Sequence, residues 1–113
     1  MKVVEKPWGK EEWIEVNDKY VVKRLTMKKD CRCSLQYHEK KMETLYVLSG
    51  TLRVLHGDAQ NALQELIMKP GDTLTLPPRK IHRMEGVEDA VYLEASTNEL
   101  DDVVRLQDDY QRA

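Results

Sequence analysis

Apolar residues recur along this chain mostly with period two, in short runs separated by turn chemistry. That period sends successive side chains to opposite faces, so it predicts half-buried strands rather than amphipathic helices. The runs 13–16 and 20–27 are separated by Asn17-Asp18-Lys19, a junction that predicts a hairpin. A longer run, 35–48, carries polar residues in its middle, and Gly50 ends it before the run 51–56. Gly57-Asp58 marks the next turn and 62–68 the next strand. Pro70-Gly71-Asp72 turns the chain into the alternating stretch 73–76, Pro77-Pro78 stops it, and 90–95 reads as one more strand. Helical character is confined to the tail, 98–112, with a turn of helix around Leu100 to Val104. Six or more short strands, spaced by about 8–12 residues, predict an all-β sandwich or barrel. With no repeat, linker or low-complexity tract, residues 1–113 read as one domain.

Composition narrows the function classes. A chain of 113 residues, 41% hydrophobic and 34% charged, can bury a core without metal or disulfide staples. Lys plus Arg number 18 against 20 Asp plus Glu, a net charge of -2, which argues against a dedicated nucleic-acid binder. Met1 to Gly9 lacks the apolar stretch of a secretion signal, and no apolar run approaches membrane-spanning length, so no membrane partner is expected. Cys31 and Cys33 stand one residue apart and would face opposite sides of a strand. That geometry disfavours a mutual disulfide and predicts inert packing in a reducing, cytoplasmic compartment.

Candidate chemistry concentrates around two of the three histidines, His38, His56 and His82. In Gln36-Tyr37-His38-Glu39-Lys40-Lys41-Met42-Glu43, Gln36 and His38 project from one face of a strand, and Glu43 opens the next apolar stretch. His82 follows the Gly71 and Pro77-Pro78 turns. Together they offer a mixed nitrogen and oxygen set suited to one divalent cation, zinc first, with manganese, iron, nickel or cobalt as alternatives. Spacing alone leaves open a bland reading, a surface histidine beside an unrelated Gln and Glu. His56, next to Gly57, reads as a turn or surface residue, and Trp8 as packing over a barrel end. Glu94 lies two residues past Tyr92 on the same predicted face, as a base or as a satisfied strand residue.

The stretch from Gln36 to Gly50 resembles the first motif of the cupins: two ligands at i and i+2, then a Glu, then a Gly seven positions on. Gly71-x5-Pro77 followed by His82 resembles the second. Asp30 and Arg79 stand where that family usually has Gly, and Gly86 where Asn is common, which bears on loop geometry more than on metal binding. Lys6-Pro7-Trp8-Gly9-Lys10, Ser34-Leu35-Gln36-Tyr37-His38 and the closing run from Asp101 to Arg112 are similar to the cupin domain of type II mannose-6-phosphate isomerases. The resemblance implies a double-stranded β-helix (a jelly-roll barrel) with a metal held by Gln36, His38, Glu43 and His82. It implies aldose–ketose isomerisation of a sugar phosphate, mannose 6-phosphate to fructose 6-phosphate, with Arg105 as a catalytic or phosphate-contacting residue; Glu94, from its strand face, is the second catalytic candidate. Lys23 and Arg24 are candidates for the phosphate, one of the two facing the cavity, and Lys41 stands where the family usually has Arg. In bifunctional members a guanylyltransferase domain precedes the cupin. No such part is found in these residues, so only isomerase-type chemistry is implied. Two other classes compete: a non-catalytic metal-binding cupin that senses a sugar or sugar nucleotide, and a metal-dependent oxygenase. If Glu43 points inward, so do Leu45 and Val47, while Tyr46 and Leu48 face outward. An outward apolar face predicts a homodimer.

Overall fold

A computed structural model describes residues 1–110; Gln111 and Arg112 of the closing run lie outside the described residues. The chain forms the expected all-β architecture, with eleven strands among the described residues. In chain order they are β1 (Lys2–Lys6), β2 (Gly9–Val16), β3 (Val21–Met27), β4 (Leu35–Tyr37), β5 (Glu43–Ser49), β6 (Leu52–Gly57), β7 (Gln64–Met68), β8 (Thr73–Leu76), β9 (Ile81–Gly86), β10 (Ala90–Ser96) and β11 (Val104–Gln107). Two antiparallel sheets face each other, one in the order β1-β2-β3-β10-β5-β8, the other β11-β4-β9-β6-β7. No helix of the described residues is long and apolar enough to cross a membrane.

The expected hairpin is present as β2–β3. Asn17 Oδ1 accepts the N–H groups of Lys19 at 2.9 Å and Tyr20 at 3.0 Å, closing the turn by its own side chain. Alternation then sorts the faces. Leu25 and Met27 of β3, Leu45 and Val47 of β5 and Tyr92 of β10 meet Leu52 and Val54 of β6 and Met84 of β9 in one core. Each fully buried aliphatic side chain contributes about 1.5–3 kcal/mol as an upper estimate. The parity expected for β5 holds: Leu45 and Val47 are fully buried, whereas Tyr46 and Leu48 are 41% and 42% exposed.

Three strands escape the apolar pattern. β1 is charged at three of its five positions, β9 carries Arg83 and Glu85 at alternate positions, and β11 is too short to show periodicity. The helical turn expected around Leu100 to Val104 is not formed. Leu100 and Asp101 make a turn, and Val104 instead begins β11, because pairing with β4 (Val104 opposite Tyr37, Arg105 opposite Gln36) satisfies its backbone. The long run 35–48 divides into β4 and β5 around the polar loop 38–42.

Asp30 and Arg79, the two expected glycine positions, keep the left-handed backbone, with φ of 64° and 70°. Gly86 faces a close approach from the chain opposite: a Cβ there would lie 2.3 Å from the Lys28 carbonyl oxygen. Asp30 and Arg79 thus hold a backbone that suits glycine, whereas at Gly86 the close approach itself excludes a larger side chain. Arg79 donates its N–H to the His38 carbonyl at 2.6 Å, which ties the two ligand-bearing loops together.

Candidate metal centre

The inner face of the barrel brings His38, Glu43 and His82 together. His82 is opposite Gln36 in the β4–β9 register, and Glu43 enters from the facing sheet at the start of β5. Glu43 Oε1 lies 3.3 Å from His38 Nε2 and 3.0 Å from His82 Nε2, and all three residues are buried. The tautomers follow from the outer nitrogens. His82 Nδ1–H donates to the Lys80 carbonyl at 2.8 Å, and His38 Nδ1–H donates to the Asp102 carbonyl. A carbonyl only accepts, so each Nε2 presents a lone pair towards Glu43.

His38 Nε2, Glu43 Oε1 and His82 Nε2 are also buried without a hydrogen-bond partner. Three inward-aimed acceptors within 4.8 Å of one another call for a cation among them. Two imidazoles and a carboxylate, each imidazole oriented by a backbone carbonyl, fit a divalent first-row ion and could hold one. Gln36 lines the same cavity, where its Oε1 accepts the Ser34 hydroxyl at 2.6 Å and keeps a second lone pair. His56, expected in a turn or at the surface, is half-buried within β6, paired with His82 in the backbone register, and stands outside the three-atom cluster.

Above these atoms lies a cavity of about 360 Å³, walled by Lys23, Lys41, Tyr92, Glu94 and Arg105 among others. Glu94 sits on β10 beside Lys23 of β3 and Leu45 of β5. Lys41 Nζ lies 2.9 Å from Glu94 Oε1 and 3.7 Å from Glu43 Oε2. Burial pushes the Glu94 carboxyl up to about 8, reinforced by the Glu43 charge and a hydrogen bond between the two carboxyls. Burial acts upward on Glu43 too, but the hydrogen bond from Glu94 outweighs it and holds that carboxyl well below the usual range. The pair thus keeps one proton on Glu94 and the charge on Glu43. Burial alone would lower Lys41, yet the Glu94 and Glu43 oxygens raise it, so the ammonium stays charged.

Of the two adjacent candidates on β3, Lys23 faces the cavity, 3.3 Å from Glu11 and over the Trp13 ring at 4.6 Å. Arg24 points to the opposite face of the sheet, in a two-pronged pair with Glu12 at 3.0 and 2.7 Å, so its expected place at the phosphate is corrected by strand parity. Tyr92 and Asp102 were missed. Tyr92 has a fully buried hydroxyl without a hydrogen-bond partner on the cavity wall, and the only hint in the sequence was its parity with Glu94. Asp102 acts across more than sixty residues, a distance at which no local pattern signals.

A family model described as mannose-6-phosphate isomerase C-terminal matches residues 1–108. Mannose-1-phosphate guanylyltransferase of Escherichia coli K12 is 32% identical over 120 residues, covering 96% of this chain and 23% of that protein. The chain thus spans about a quarter of the length of the curated relatives it matches. Among solved structures, the capsular polysaccharide assembling protein CapF of Staphylococcus aureus superposes with a TM-score of 0.83 at 17% identity, over 94% of this chain and 34% of that one. Oxalate decarboxylase of Bacillus subtilis, described for its Mn(II) centres, superposes with a TM-score of 0.80 at 20% identity, over 94% and 30%.

Proposed function

This chain belongs to the mannose-6-phosphate isomerase C-terminal family, and from that premise we propose that it is a metal-dependent sugar-phosphate isomerase interconverting mannose 6-phosphate and fructose 6-phosphate. One observation carries the reading: three buried, unpartnered acceptors converge beside a cavity that also presents a buried acid and cationic side chains. His38, Glu43 and His82, with Gln36 as fourth ligand, would hold the cation, and zinc is our first choice. Such a cation, when bound, polarises a carbonyl and stabilises charge developing on the neighbouring oxygens.

The remaining work falls to the chain itself. Aldose–ketose isomerisation moves a proton between C1 and C2, which needs a side chain that can hold it near neutral pH. Glu94 is buried on the cavity wall within reach of Lys41 and Glu43, and we assign it the proton transfer. Lys23 and Arg105 enter the cavity from opposite sheets and are our candidates for the phosphate. Lys41 is held between two carboxyls and serves them rather than the phosphate. Leu25, Met84, Leu100 and Val103 supply apolar wall that limits water. We place the protein in the cytoplasm, a reading supported by its free Cys31 and Cys33 thiols, and we expect a homodimer through the face of Tyr46 and Leu48.

Purified protein loaded separately with zinc, manganese, iron, nickel or cobalt should convert mannose 6-phosphate to fructose 6-phosphate, and a chelator should stop it. No turnover at full metal occupancy, with this or related aldose phosphates, would sink the isomerase. Saturable sugar-phosphate binding without turnover would assign a non-catalytic sugar binder instead. Light scattering should return twice the monomer mass, and a monomer would remove the dimer.

A further inference from the structure

Asp102 lies on the strap that joins β10 to β11, and one residue there grips four consecutive residues of the loop after β4. Its Oδ1 accepts the Glu39 N–H at 3.0 Å, and its Oδ2 accepts those of Lys40 at 2.7 Å and Lys41 at 3.0 Å. Its main-chain carbonyl accepts Nδ1–H of His38. Carboxylate bonds to backbone N–H groups are charge-assisted and stronger than neutral ones. The loop so held begins with one candidate ligand, His38, carries Lys41, and delivers the chain to another, Glu43.

The same strap also forms cavity wall. Leu100, Asp101 and Val103 line it on either side of Asp102, and Arg105 follows three residues later. We propose that Asp102 is a positioning residue that fixes His38 with Nε2 aimed at Glu43 and His82, and so ties the cavity wall to metal affinity. The carbonyl selects the tautomer, and the carboxylate holds the carbonyl in register by fastening the strap to the loop. Neither contact reaches the metal or substrate directly. The inference rests on the metal-site part of the proposed function and is independent of isomerase activity.

The test uses the full chain and its Asp102→Ala, Asp102→Asn and Arg32→Ala variants. Zinc and cobalt affinities come from competition with a chromophoric chelator. Imidazole tautomers in the metal-free protein come from long-range proton–nitrogen NMR. Removing such an outer partner of a ligand typically weakens metal binding by about 10–100-fold, the loss expected for Asp102→Ala. Asp102→Asn keeps one good acceptor and should fall between, and it decides the matter if the alanine variant does not fold. His38 should pass from a pure Nδ1–H form in the wild type to a mixture in Asp102→Ala. Arg32→Ala loosens the chain further along, at Asp109, and should leave metal affinity at its wild-type value. Unchanged affinity and tautomer in Asp102→Ala would overturn the proposal, as would an equal loss in Arg32→Ala. Absence of metal binding by the wild type would remove the metal site, while the tautomer measurement still judges the grip of Asp102 on His38.

Discussion

Arg79 shows what a single residue can cost without disturbing the fold. At φ 70° its Cβ crowds the following carbonyl, a penalty of about 1–2 kcal/mol for an ordinary L-residue. Its side chain is exposed and reaches Glu39 at 3.1 Å, a surface pair of small value. Arg79→Gly should therefore raise stability by about 0.5–1 kcal/mol once the added chain entropy of glycine is subtracted. In urea titrations the midpoint should rise at constant slope, and an unchanged midpoint would deny the strain. Asp30→Gly should gain less, because Asp tolerates the left-handed region better. Cys33 illustrates the same scale for reactivity. It is buried, and burial pushes its thiol up to about 11. Since the thiolate is the nucleophile, iodoacetamide at pH 8 should label the half-buried Cys31 of the native protein well before Cys33, and urea should abolish the difference. Equal rates in the native state would contradict this burial.

Strands were legible where one face is apolar and the other polar, as in β3 and β5. They were hidden where the outer face is charged and the inner face is chemistry. β9 reads Ile-His-Arg-Met-Glu-Gly: His82 and Met84 face the cavity side, while Arg83 and Glu85 bind charges on the other, so no apolar alternation shows. The metal candidates were readable because the stretches from Gln36 to Gly50 and from Gly71 to His82 resemble the two cupin motifs, whereas their spacing alone left a surface-histidine reading open. Which of Lys23 and Arg24 faces inward was not readable, since strand phase depends on the partner strands. β2 and β3 meet on the inner face through Glu11, which lies 3.3 Å from Lys23 and 3.8 Å from Lys6. Burial would raise the Glu11 carboxyl, but the two lysine charges and bonds from Trp13 and Lys23 lower it below 4.5. A depressed carboxyl stabilises the fold above its unfolded value and loses that contribution as pH falls through its folded value. Glu11→Gln should thus cost about 1–3 kcal/mol at pH 7. The gap to wild type should close as pH drops below 4.5, as read by denaturant titration at both pH values. A gap that persists in acid would show lost packing, not lost charge.

Closure of the molecule depends on bringing a short C-terminal strand back to β4, across most of the chain. The backbone pairing of β11 is brief and interrupted by a register shift between Arg105 and Gln107. Side chains on the outer face of the five-stranded sheet reinforce it. Glu65 pairs with Arg53 at 2.6 Å, Arg53 with Glu85 at 2.6 Å, and Glu85 with Arg32 at 3.4 Å. Arg32 then holds Asp109 at 2.6 and 3.1 Å, and Asp109 lies 3.7 Å from the buried Arg83. Arg83 also donates to the carbonyls of Cys33 at 2.9 Å and Gln107 at 3.2 Å, so it stitches the end of β11 to the segment that leads into β4. Alternating charges in a row support one another, yet those at the Asp109 end are partly exposed, 41% for Arg32 and 42% for Asp109, and salt will screen them. Asp109→Ala should therefore speed hydrogen exchange of the β11 amides, Val104 to Gln107, and leave those of β5 and β10 at wild-type rates. Raising sodium chloride to about 1 M should produce part of that effect in the wild type, because screening then reaches across a few ångströms. Acceleration spread evenly over both sheets would mean that the clasp supports global stability rather than the C-terminal strand. Because Asp109 fastens the far end of β11 and Asp102 the near end, the clasp should open without releasing His38.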